Sequence, residues 1–322
     1  MFDSNGIEQA RRIVARVMPP TPQYRWPGLR RHTGCEVWVK HENHTPTGAF
    51  KVRGGLVLLD ELKRAGNLPK KIITATRGNH GQSIPFAAVP HGVSVTVLAP
   101  KGNSAEKNAA MVGWGAELIE FGNDYEEARQ EAARRVEAEG ALYLPPFHPA
   151  LARGVATYAA ELFEAVADLD AVYVPIGMGS GICGLIRTRD LLGLKTDIVG
   201  VVAERAPAMA RSFEAGEIVA TDSADTFADG MACRVPMSEP LEIVRRGAAR
   251  IVDVGEEDIA EAMRVLYRET HNVAEGAGAA AFAALMRERD RMKGRRVAVI
   301  LSGGNVDAEV FRVVLAGGVP QP

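Results

Sequence analysis

The chain has 322 residues, 47% hydrophobic and 24% charged, an ordinary globular make-up long enough to bury a sizeable core. A formal charge of −2 and a pI near 6.4 provide no basic field for nucleic acid or anionic membrane, so a small molecule is the expected partner. Cys35, Cys183 and Cys233 are too few and scattered for a disulfide framework or zinc cluster, residues 1–6 lack an apolar signal core, and no run of about 18 apolar residues occurs; a reduced, cytoplasmic protein is expected.

Strand-like runs rich in Val and Ile fall at 36–39, 71–76, 93–98, 116–121, 171–176, 197–203, 251–254 and 296–301. Helical patterns at 55–65, 124–138, 155–166 and 257–269 lie between them, and the Ala-rich stretch 277–285 reads as a tightly packed helix. Such alternation predicts an α/β fold, an open sheet with helices on both faces. Turn-rich stretches at 64–69 and 144–149 are candidate domain crossings. They divide the chain into a small domain, 66–145, and a discontinuous large domain, 1–65 with 146–322.

Ligands in such folds sit beyond the carboxyl ends of strands, so the loops there are where the chemistry is expected. The stretch 40–54 contains Thr47-Gly48-Ala49-Phe50-Lys51, with Lys51 opening a helix. A lysine used for imine chemistry needs an unprotonated amine and hence partial desolvation; from this stretch alone, a surface lysine at a helix N-terminus is the favoured reading. After the 71–76 strand comes Arg77-Gly78-Asn79-His80-Gly81, which presents backbone N–H groups and an amide, or simply a capped turn. After the 171–176 strand, Gly177-Met178-Gly179-Ser180-Gly181-Ile182-Cys183-Gly184 reads as a phosphate cradle at a helix N-terminus. It also satisfies a dinucleotide fingerprint, with Glu204 placed as a ribose-binding acid, so a nicotinamide-dependent oxidoreductase is the rival reading. After the last strand, Ser302-Gly303-Gly304-Asn305 offers a hydroxyl at a strand end.

Taken in this order, the four segments resemble the fold-type II pyridoxal 5′-phosphate (PLP) enzymes of the serine/threonine dehydratase and serine racemase family, whose fold is like that of the tryptophan synthase β chain. Segments 226–232 and 273–279 also look like family segments. The resemblance implies two open, twisted, mostly parallel sheets in a large and a small domain. It implies that Lys51 holds PLP as a Schiff base with Phe50 beside it, and that Asn79 bonds the ring 3′-oxygen. Gly177, Met178, Gly179, Ser180 and Gly181 would wrap the phosphate, and Ser302 would face the pyridine nitrogen. Thr47, Gly48, Ala49, Arg77, Gly78 and His80 are the candidate substrate contacts.

The implied reaction is β-elimination from a small β-hydroxy amino acid, with L-threonine and L-serine as defaults, Lys51 as base, and a 2-oxo acid and ammonia as products. The same chemistry on 3-hydroxyaspartate or phenylserine is the alternative; a non-catalytic binding paralogue would be expected to lack Lys51. A neutral serine at the pyridine nitrogen, in place of a carboxylate, favours elimination over transamination.

Several positions depart from the family pattern. Ala49 stands where a serine is usual, and Arg77 replaces the serine that acts as proton donor on the second face, which disfavours racemisation. Arg77 would either clamp a substrate carboxylate or form a structural ion pair. Gly154-Val155-Ala156-Thr157 stands for the family's Gly-Gln-Gly-Thr. Val202 and Ala208 stand at the acidic positions that anchor a divalent cation in some members, so no metal is expected, and neither is a C-terminal regulatory domain. Family analogy suggests a homodimer, with which the 277–285 helix is compatible.

Overall fold

The computed structural model describes residues 1–321. Its strands are β1 (Gln23–Arg25), β2 (Glu36–His41), β3 (Lys71–Ala75), β4 (Ser94–Ala99), β5 (Glu117–Glu120), β6 (Leu142–Tyr143), β7 (Ala171–Pro175), β8 (Asp197–Ala203), β9 (Arg250–Val254) and β10 (Arg296–Leu301). The chain forms two compact units, one of residues 1–19 and 45–157, the other of residues 20–44 and 158 onward.

In the first unit four parallel strands run in the order β5-β4-β3-β6. After Lys71, every residue of β3 is buried, because both faces of the strand are covered. Ile72 packs with Leu58, Leu59 and Ile84 on one side, while Ile73 and Ala75 meet Ala128 and Ala132 of the helix Tyr125–Glu139 on the other. Helix Lys51–Arg64 lies so close to helix Asn79–Ala88 that a Cβ on Gly55 would stand 2.7 Å from the Ser83 carbonyl oxygen. Its Val52 and Val57 receive Ala10, Ile13 and Val14 of helix Ser4–Val14.

The second unit holds a six-stranded sheet in the order β1-β2-β10-β7-β8-β9, parallel except for the antiparallel pair β1–β2. Helix Gly276–Arg287 is buried from Gly276 to Leu285, within a core that includes Val199, Val201, Val297 and Val299. It is an interior helix, so its apolar composition is accounted for by the core of its own unit.

All eight expected strands are present within two residues at each end. β1 and β6 were not anticipated: at three and two residues they are too short to show a periodicity. The lysine helix opens at Lys51, as its motif suggested though ahead of the 55–65 periodicity, and the next begins earlier than expected, at Pro149, since small and polar residues blur the first turns. The four-stranded sheet falls inside the 66–145 span, but the compact unit around it is wider, because helices Ser4–Val14 and Lys51–Arg64 pack with it. Among the described residues no helix is long and apolar enough to cross a membrane.

Each sheet has one strand from which the order departs in both directions. From β3 the chain proceeds outward to β4 and β5, and β6 returns to the other side; from β7 it proceeds to β8 and β9, and β10 returns to the other side. In parallel α/β sheets such a reversal opens a crevice beyond the strand ends, where ligands bind. The loops after β3, β7 and β10 are those carrying the Asn79, Gly177–Gly181 and Ser302 motifs.

Candidate active site

In the first unit, Lys51 is the first residue of its helix and is half-buried. The approach to it is held tightly. Thr45 Oγ1 accepts from the Ala49 amide at 2.9 Å and donates to the Ala49 carbonyl at 2.8 Å, while Gly48 takes a left-handed φ of 68°. Ser83 Oγ donates to the Lys51 carbonyl oxygen at 2.7 Å. Thr47 and Ala49 are buried, and Lys51 Nζ lies 5.0 Å from the Phe50 ring centroid. Burial pushes the Lys51 ammonium down to about 8, because desolvation penalises the charged form.

Two residues later, buried Arg53 donates from Nη1 to Thr157 Oγ1 at 2.9 Å, and Thr157 Oγ1 donates to the Gly154 carbonyl at 2.7 Å. A Cβ on Gly154 would overlap the Arg53 carbonyl oxygen. The Gly154–Thr157 segment therefore anchors the first turn of the lysine helix.

The loop after β3 opens helix Asn79–Ala88. Gly78 N donates to Thr76 Oγ1 at 3.0 Å, and Asn103 Nδ2 donates to the Arg77 carbonyl at 3.0 Å. His80 is buried with Nε2 3.4 Å from the Leu144 carbonyl oxygen. Burial, reinforced by the charge of Lys51, lowers its imidazolium to about 3. His80 is thus a neutral imidazole at physiological pH, and its response to Lys51 places the two side chains in electrostatic reach.

In the second unit, β7 ends at Pro175 and the chain turns through Gly177 and Gly179 into helix Ser180–Leu191. Gly179 is left-handed, at φ 95°, and a Cβ there would stand 2.7 Å from Pro240 Cβ. A Cβ on Gly177 would overlap the Gly230 carbonyl oxygen. Tyr158 Oη donates to the Gly181 carbonyl at 3.2 Å. The result is a glycine-rich turn before a three-turn helix, a fit for a phosphate dianion. Met178 Sδ lies 3.4 Å from Cys233 Sγ.

Ser302 is buried at the end of β10. The following Gly303 carbonyl accepts from the Glu275 amide at 3.1 Å, and a Cβ on Gly278 would overlap that same carbonyl. The segments 226–232 and 273–279 thus have distinct roles: the first backs the turn after β7, the second backs the Ser302 loop.

A model of the family described as pyridoxal-phosphate dependent enzyme matches residues 14–303. The chain belongs to the pyridoxal-phosphate dependent enzyme family. It is 32% identical to the L-threonine ammonia-lyase of Thermotoga maritima over 99% of its own length and 79% of that enzyme's. It is also 32% identical to the L-threo-3-hydroxyaspartate ammonia-lyase of Saccharomyces cerevisiae, covering 90% of this chain and 89% of the other. Among solved structures, threonine deaminase isoform 2 from Solanum lycopersicum superposes with a TM-score of 0.87 at 28% identity, covering 98% of this chain and 95% of that one. The fold is the type II PLP fold and the cofactor is PLP, so the nicotinamide reading of residues 179–184 falls.

Sequence reasoning missed the supports. Asn103 and Lys107 lie outside every motif, and Ser83 and Gly230 lie within singled-out segments whose bracing contacts, to the Lys51 carbonyl and against Gly177, no sequence pattern records. No grouping of three or more His, Cys, Asp or Glu suited to a metal ion occurs among the described residues.

Proposed function

We propose that Lys51 carries PLP through a Schiff base, with Phe50 and Asn79 against the ring, Gly177, Met178, Gly179, Ser180 and Gly181 around the phosphate, and Ser302 at the pyridine nitrogen. The enzyme is a lyase: it eliminates the β-hydroxyl of a hydroxy amino acid to yield a 2-oxo acid and ammonia. Bound PLP supplies the electron sink for this chemistry.

The side chains supply positioning and proton transfer. With its pKa near 8, Lys51 is a free amine in roughly a tenth of molecules at pH 7, so Nζ can take up a proton without a partner base. His80 is already neutral and buried, which leaves Lys51 as the proton carrier of its unit. Ser302 is a neutral hydroxyl, and a neutral partner favours elimination over transamination. Arg77 is a poor proton donor because a guanidinium does not deprotonate, which favours elimination over racemisation. Thr47, Gly48, Ala49, Gly78 and His80 are assigned to the substrate, with Arg77 reading a carboxylate.

The observation that carries this reading is Lys51, desolvated at the start of a helix braced by Ser83 and by the Arg53–Thr157 pair. The test is ammonia and 2-oxo acid release across a panel of β-hydroxy amino acids that includes L-threonine and L-serine. Release from none of them by PLP-loaded protein would refute the lyase. A homodimer in the cytoplasm is the assembly and location proposed, to be checked by light scattering and by cell fractionation.

A further inference from the structure

Arg77 is half-buried at the carboxyl end of β3, two residues before the helix that Asn79 opens. Its Nε is buried without a hydrogen-bond partner, and among the described residues no carboxylate pairs with it. Its backbone is nevertheless pinned, by Asn103 at its carbonyl and by the Gly78–Thr76 bond beside it. A buried guanidinium N–H left without an acceptor is costly unless a ligand completes it.

A second cation shares the place. Lys107, in the first turn of helix Ala105–Gly113, is 6% exposed. Its Cδ and Cε lie 2.6 and 3.4 Å from where a Cβ on Gly78 would stand. Its stem therefore crosses Gly78, and its ammonium, one bond beyond Cε, stays beside the Arg77–Asn79 turn. This explains why position 78 is glycine: any side chain would displace the lysine. Two positive charges flank one turn within a chain whose net charge is −2.

We infer that Arg77 and Lys107 form a binding site for a second, side-chain carboxylate of the substrate, so the preferred substrate class is the acidic β-hydroxy amino acids. This rests on the lyase reading above and deepens it. Arg77 is then a specificity determinant: a guanidinium fork matches a carboxylate in two hydrogen bonds, and a substrate without the group leaves the donors unmet.

The test uses the PLP-loaded enzyme and its Arg77→Ser, Arg77→Lys and Lys107→Met variants. Methionine keeps an unbranched stem over Gly78 while removing the charge. The ratio of kcat/KM for 3-hydroxyaspartate to that for L-serine is expected to exceed one. It should fall on the order of 10- to 100-fold in Arg77→Ser, as for loss of charged hydrogen bonds, and by about threefold to tenfold in Arg77→Lys and Lys107→Met. In parallel, calorimetry compares succinate with butyrate, which has the same chain length and one carboxylate, so the site is read without turnover. Succinate should bind more tightly to the wild type, and Arg77→Ser should erase the preference. A ratio unchanged in Arg77→Ser, including equal loss on both substrates, would overturn the inference, as would butyrate binding as well as succinate. A wild type that turns over no hydroxy amino acid yet prefers succinate through Arg77 would count against the lyase and for the carboxylate site.

Discussion

The two units place their chemistry at equivalent points, the strand ends where each sheet reverses order, yet they do so with different materials. Beyond β3 the first unit presents side chains: Lys51 with a lowered pKa, neutral His80, Asn79 and an unpaired guanidinium Nε on Arg77. Beyond β7 and β10 the second unit presents backbone. Gly177, Gly179 and Gly278 are each held where a Cβ would strike a neighbour, and Ser302 contributes a buried hydroxyl at the end of β10. The first unit can therefore be altered in reactivity with little change of shape, and the second only by changing shape. In the proposed function, reaction falls to the first sheet's side chains and grip to the second sheet's backbone.

The comparison breaks most sharply at Lys51. Lys51→Ala should lower turnover more than about 10³-fold while leaving the thermal midpoint close to wild type, because the reacting amine is lost and the helix keeps a good former. Substantial turnover in that variant, measured as 2-oxo acid formed, would remove reactivity from the first unit.

The next effect is one of pH. Attack on free PLP requires the neutral amine, and burial sets its pKa at about 8. The rate of reconstituting apoenzyme should thus rise nearly tenfold per pH unit up to about pH 8 and flatten above it. A flat profile from pH 6 to 9, followed by the growth of cofactor absorbance, would contradict the desolvated lysine.

Gly177→Ala should do the opposite of Lys51→Ala. Its methyl overlaps the Gly230 carbonyl oxygen, which overpacking puts at about 1–3 kcal/mol of stability. Weaker PLP retention on dialysis should accompany a lower midpoint, with the Lys51 pH profile unmoved. The smallest expected effect is at Thr157→Val, which removes the hydroxyl that Arg53 donates to and should cost about 1–2 kcal/mol by denaturant titration. A neutral result there would show that the lysine helix has other anchors sufficient to hold it.

Much of this was legible beforehand, for a physical reason. β3, β7, β8 and β10 are covered on both faces, so their apolar runs stand out, and the loops after them hold residues with few structural uses in that order. The phosphate turn and Lys51 were readable on the same ground. What stayed hidden was long-range and local at once: Lys107 across Gly78, Ser83 on the Lys51 carbonyl and Gly230 against Gly177 join residues 29 to 53 positions apart in sequence. Only tertiary packing brings such pairs together, and no period records them. The Ala277–Leu285 stretch shows the converse: its composition suited an interface or a core, and only the buried surroundings decided for the core.

The central claim is that Lys51 is the residue that holds PLP. Its most direct test is borohydride reduction of the purified, PLP-loaded protein, followed by proteolysis and mass measurement of the labelled peptide. The expected result is loss of the visible cofactor band and one phosphopyridoxyl group on Lys51. Label on another lysine, such as Lys40 or Lys107, or a cofactor band that survives reduction, would contradict it.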